Sequence, residues 1–121
     1  MADLTTTIDT HLAAYCEPDA ERRAALMAQI WSPQGVLVDP PMEGEGLEAI
    51  VGLGDVVITH YPGHTFRRTT AVDEHHGYAR YGWALVAADG TVAVAGTDIA
   101  TLDDDGRLVK VVGFFGDLEA A

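Results

Sequence analysis

From residue 64 to the end of the chain, strand-forming runs alternate with turn residues and no helical period interrupts them. The runs cover 64–72, 78–88, 91–102 and 107–115, rich in Val, Ile, Thr, Tyr, Phe and Trp. Between them lie Asp73-Glu74-His75-His76-Gly77, Asp89-Gly90 and Asp103-Asp104-Asp105-Gly106. Asp89-Gly90 is the dipeptide favoured in two-residue type I′ hairpins. Strands joined by such short turns pair with their sequence neighbours, so this half of the chain reads as an antiparallel meander.

The first half reads mostly as helix. Ile8, Leu12, Tyr15 and Cys16 form one stripe of an amphipathic helix that ends at Glu17-Pro18. Asp19 is an expected N-cap for a second helix running through Trp31, with Ala20, Ala24, Met27 and Trp31 inward and Ser32-Pro33-Gln34-Gly35 as its stop. Val36-Leu37-Val38-Asp39 is a short strand closed by Pro40-Pro41, which cannot donate ladder hydrogen bonds. After Gly44 and Gly46, a third helix carries Leu47, Ile50, Val51, Gly54, Val57 and Ile58 on one face, and Tyr61-Pro62-Gly63 turns the chain. Three helices ahead of an antiparallel or mixed sheet imply one α+β domain over 1–121. Its helices pack on one face of a curved sheet and enclose a pocket.

Composition narrows the function. A formal charge of −12 with no Lys/Arg cluster repels phosphate backbones and anionic lipid surfaces, so neither nucleic acid nor membrane is an expected partner. The opening residues lack the basic start and apolar stretch of a secretory signal, and Cys16 alone can form no internal disulfide. A cytoplasmic location is the expectation.

Strand alternation singles out Asp98. It shares a face with Val92, Val94, Gly96, Ala100 and Leu102, the more apolar side, with no Lys or Arg among them. Burial disfavours the charged form, so Asp98 reads as a neutral acid able to donate a hydrogen bond, or else as a rim residue bonded to backbone. Asp39, where a hydrophobic strand leaves the core, reads either as an Asx-type turn before proline or as an ionised base. Trp83 lies on the face of Tyr81 and Leu85, opposite Arg80, and Phe115 on the face of Val109 and Val111, opposite Lys110. With Tyr15, Trp31 and Tyr61 they are the candidate ligand-binding residues, and His60 could reach the same mouth. His75 and His76 invite a metal reading, but adjacent strand residues point apart and no Cys or His set completes a site. The acidic turn at 103–106 lacks the alternating ligands and later Glu of a calcium loop. No metal and no cofactor are expected.

Val38-Asp39-Pro40 resembles the strand that bears the general base in ketosteroid isomerases. Gly96-Thr97-Asp98, followed by an acidic turn and Gly106-Arg107-Leu108, is similar to the strand carrying their second, protonated aspartic acid. Gly113-Phe114-Phe115-Gly116 resembles their last strand, in which a Phe before Gly lines the pocket. The order of elements is similar to the nuclear-transport-factor-2-like (NTF2-like) superfamily, including SnoaL-like polyketide cyclases, and the resemblance implies their cone-like roll. The resemblance implies that Asp39 removes a proton next to a carbonyl and that Asp98 stabilises the enolate. It also places His11 where the family has an oxyanion-binding tyrosine, with Tyr15 one helical turn on, and implies a homodimer.

Three functions follow: an isomerase or cyclase acting on a small apolar carbonyl compound without a cofactor, a non-catalytic binding or dimerisation module, and a hydrolase adding water to an epoxide. The last needs an arginine in the pocket, and Arg80 is expected to point outward.

Overall fold

The computed structural model describes residues 3–121; the first two residues of the opening segment read above lie outside it. Helix α1 (Leu4–Ala14) starts where Asp3 Oδ1 accepts the Thr6 N–H at 3.0 Å. Asp19 caps α2 (Ala20–Ile30), accepting from the N–H groups of Glu21 and Arg22. The second helix stops one residue short of Trp31, and its inward stripe differs from expectation. Ala20 is exposed, while Arg23 is buried beside Met27 and Ile30. Arg23 is kept inside by partners from two segments, the α1–α2 loop and α3 (Leu47–His60): its Nε donates to Glu17 O at 3.0 Å, and its Nη1 to Val51 O and Asp55 Oδ1, both at 3.1 Å. It ties the end of α1 to α2 and α3.

Trp31 opens β1 (Trp31–Val38). The segment 32–35, expected as a helix stop, is instead a bulge within that strand. Trp31 pairs with Leu108 and Val36 with Lys110, so five steps on β1 match two on its partner. Asp39 follows, then β2 (Glu43–Glu45) and α3 (Leu47–His60). The remaining strands are β3 (Thr65–Arg68), β4 (Asp73–His75), β5 (Tyr78–Val86), β6 (Val92–Leu102) and β7 (Leu108–Phe115).

Two turns differ from the sequence reading. Residues 73–75 are a strand, and the two-residue hairpin lies at His76-Gly77, where φ is +52° and +80°. At Asp89-Gly90 only Gly90 has positive φ, and Ala87 and Thr91 close a three-residue loop, a type I turn with a glycine bulge. A register shift between Leu85 and Val86 then restores the pairing that a two-residue turn would have set, including Tyr81 with Asp98.

The strand order is β2-β1-β7-β6-β5-β3, with β4 on β5, in a mixed sheet that is curved but not closed. All pairs are antiparallel except β1 with β7. The helices cover the concave face, where Ile8, Met27, Ile50, Ala100 and Leu108 are fully buried. This is the NTF2-like α+β fold. No helix among the described residues is long and apolar enough to cross a membrane.

Candidate active site

The pairing registers put four side-chain positions in one row. Val38 pairs with Val112, so Asp39, the next residue, lies beside Gly113; Gly113 pairs with Asp98, and Asp98 with Tyr81. Because side chains alternate, this whole row faces the concave side. A methyl group on Gly113 would stand 3.0 Å from Asp39 Cβ and 3.0 Å from Asp98 Oδ1, so those two atoms are at most 6.0 Å apart. The two acids share one space because the residue between them has no side chain.

That space is a cavity of about 320 Å³ between the sheet and α1 and α3. Asp39, Asp98, His11, Tyr15, Tyr61, Trp83, Phe115 and His60 all line it. Val56 and Phe115, each about two-fifths exposed (42% and 41%), lie at its mouth. Trp31 does not line it. Its ring folds over Gly35 in the β1 bulge and packs edge-on against His11 at 5.6 Å, so it supports the wall from behind.

Asp98 is 7% exposed and its two oxygens are held separately. The Trp83 indole N–H donates to Oδ1 and the Tyr81 hydroxyl to Oδ2, both at 2.8 Å. His11 Nε2 stands 3.8 Å from Oδ2, beyond hydrogen-bond range. Asp39 meets both of its sequence readings. Its Oδ1 accepts the Met42 N–H at 2.9 Å in an Asx-type turn, while Oδ2 has no partner among the described residues. Burial pushes the Asp39 carboxyl up from its ordinary value; the Met42 N–H opposes this and the nearby charge of Asp98 adds to it.

Two further polar groups lack partners. The Tyr15 hydroxyl and His11 Nδ1 are buried with no hydrogen bond, and both residues line the cavity. Burial, then the charges of Asp98 and Asp39, raise the Tyr15 phenol well above its ordinary range, so it stays a neutral donor. A buried hydroxyl without a partner is costly, and a polar atom of a ligand would relieve that cost.

Tyr81, Met42, Phe66 and Gly113 escaped the sequence reading. Tyr81 was legible, since counting back from Asp89-Gly90 in equal steps pairs it with Asp98. Gly113 carries no such signal, because its role depends on the β1–β7 pairing, whereas the Met42 N–H belongs to the local Asx-type turn at Asp39. Among the described residues no group of three His, Cys, Asp or Glu side chains could hold a metal. The His75 and His76 rings instead lie edge to face, with their Nδ1 atoms 3.1 Å apart. Arg80 sits outside the cavity, paired with Asp73 at 2.8 Å.

No family model matches the sequence, and no curated protein matches it. Solved structures do. A SnoaL-like family protein from Agrobacterium tumefaciens strain C58, provisionally designated an isomerase, is 36% identical over 97% of this chain and 100% of that chain, with a TM-score of 0.88. An NTF2-like protein of unknown function from Exiguobacterium sp. 255-15 is 24% identical over 93% and 99% of the two chains, TM-score 0.68. A protein from Jannaschia sp. CCS1, provisionally named a SnoaL-like polyketide cyclase, is 15% identical over 95% and 89%, TM-score 0.69. The last two share the fold alone.

Proposed function

The chain belongs to the SnoaL-like family, and from that premise we propose that it is a cofactor-independent acid–base enzyme acting on a small apolar carbonyl compound. One observation carries the reading: an unpartnered carboxylate oxygen, Asp39 Oδ2, and an unpartnered phenol, Tyr15, line the same apolar cavity.

Asp39 Oδ2 takes a proton from the carbon next to the carbonyl; the C–H electron pair becomes a carbon–carbon double bond and the carbonyl π pair moves onto the oxygen. The raised affinity of Asp39 for protons suits a base that must also return what it takes. Tyr15 donates to the developing enolate oxygen. Asp98, whose Oδ1 accepts from Trp83 and Oδ2 from Tyr81, is the second group that the family resemblance assigns to the enolate oxygen. His11 packs edge-on against Tyr15 at 5.0 Å and holds that ring in place. Returning the proton to a different carbon gives an isomer. Attack of the enolate carbon on a second carbonyl of the same molecule gives a ring, with the proton passing from Asp39 to the new alkoxide.

Water addition to an epoxide is the weaker reading, because no arginine lines the cavity. The test uses 3-cyclohexenone, whose double bond moves into conjugation when a proton is lost beside the carbonyl and regained two carbons away. The wild-type protein is expected to speed the rise in ultraviolet absorbance, and Asp39→Asn to slow it about a hundredfold with folding intact. Equal rates for the two proteins would remove the proposal.

A further inference from the structure

The cavity holds two acids and no base of full charge. The seven Lys and Arg side chains all lie away from its wall. Arg23 faces Asp55 among the helices, Arg68 pairs with Asp9 and Arg80 with Asp73. Asp98 is all but buried, and among the described residues the only group near it that could carry positive charge is the His11 ring, at 3.8 Å. Asp39, whose Oδ2 is unpartnered among the described residues, has no Lys or Arg on the cavity wall to balance its charge when ionised.

The rest of the wall suits a cation. Trp83 meets Phe66 and Phe115 with ring centres 5.5 Å apart in each case and interplanar angles of 80° and 78°. Tyr15 meets Phe66 at 6.3 Å and 79°. Rings that meet near right angles around one space differ in orientation toward it, and aromatic faces attract cations. The Trp83 N–H bond to Asp98 further enriches the indole in electron density. The Tyr15 hydroxyl, buried and unpartnered, is a separate sign that a polar atom belongs in this space.

From these walls and charges we infer that the cavity takes a small hydrophobic amine in its protonated form, with N–H directed to Asp39 Oδ2 and the Tyr15 hydroxyl. Its hydrocarbon part lies against Trp83, Phe66 and Phe115. The same arrangement excludes carboxylates and phosphates. The inference concerns binding alone: an amine seated this way occupies Asp39 Oδ2 and the Tyr15 hydroxyl, so it competes with the carbonyl compound proposed above for the same two groups.

Three probes of one shape and different charge test it: benzylamine, benzyl alcohol and benzoate, titrated while following the Trp83 indole N–H by NMR. Benzylamine is expected to bind about tenfold more tightly than benzyl alcohol, with benzoate weakest. Asp39→Asn should bring benzylamine down to the level of the alcohol and leave the alcohol within about twofold. Amine affinity should fall as acid protonates Asp39. The titratable groups around it are His11 and Tyr15 from α1, His60 and Tyr61 at the end of α3, Tyr81 from β5 and Asp98 from β6, and in Asp39→Asn that fall with acid should be lost. Equal binding of amine and alcohol, tighter binding of benzoate, or no binding of any probe would overturn the inference. None of these results depends on turnover of 3-cyclohexenone.

Discussion

Asp39 and Asp98 flank Gly113 from opposite sides, and a Cβ at that glycine would touch both. The glycine is therefore a spacer. Its φ is not in the left-handed region, so alanine fits the backbone of β7. Gly113→Ala should fold normally and still lose about tenfold or more in rate, because a displacement of reacting groups by an ångström is enough to cost that much. Thermal unfolding and turnover, measured on the same sample, check both halves of this expectation.

The raised proton affinity of Asp39 has a consequence for stability. A carboxyl whose folded value lies above its unfolded value favours the folded state in acid, and that advantage is lost as pH rises through the folded value. Asp39→Asn removes the cost of burying the charge, so the variant should be more stable than wild type at neutral pH and lose its advantage below the unfolded value near ~3.9. Denaturant titrations at neutral and acid pH read the sign. The rate moves the other way: activity on a carbon acid should rise with pH as Asp39 ionises and then level off.

Tyr81→Phe and Trp83→Phe each remove one donor from Asp98. Leaving a buried acceptor unpaired costs about 1–3 kcal/mol, and each variant should lose stability in that range. Leu85 is buried on the same strand face but makes no such bond. Leu85→Met, which keeps volume roughly constant, should cost less than about 1.5 kcal/mol by chemical denaturation.

Two glycines two residues apart in α3 should respond oppositely to alanine. Nothing lies within 4 Å of a Cβ at Gly52, whereas one at Gly54 would meet Arg23 Cδ and Nε at 2.5 Å. Gly52→Ala should add about 0.5–1 kcal/mol, the ordinary gain for a helix interior. Gly54→Ala should destabilise by displacing the buried guanidinium from Asp55. Melting temperatures of opposite shift are the result to look for.

Phe114 and Ile99 stand exposed on the convex face, 59% and 37%, diagonal neighbours on β7 and β6. The homodimer that the family resemblance implies would cover this face. Light scattering should give twice the chain mass for wild type and a lower mass for Phe114→Glu.

Much of this arrangement was legible in the residues. Period-two alternation put Asp98, Trp83 and Phe115 on the inner face, and capping chemistry put Asp19 at the head of α2. What failed depended on long-range partners. Arg23 reads as a solvent residue until Asp55 and the Val51 carbonyl come within reach. Trp31 continues the helical stripe in sequence, yet pairing with Leu108 recruits it to a strand. The turn chemistry of Asp89-Gly90 was read one residue too tight, and the bulge at Leu85/Val86 hid the difference.

The parallel pairing of β1 with β7 also sets an order of events. Asp39 comes to its neighbour only when the segment 108–115 has been made and docked, some seventy residues later in the chain. A nascent chain stalled before that point, or one clipped there, would own both acids and yet have no chamber for them.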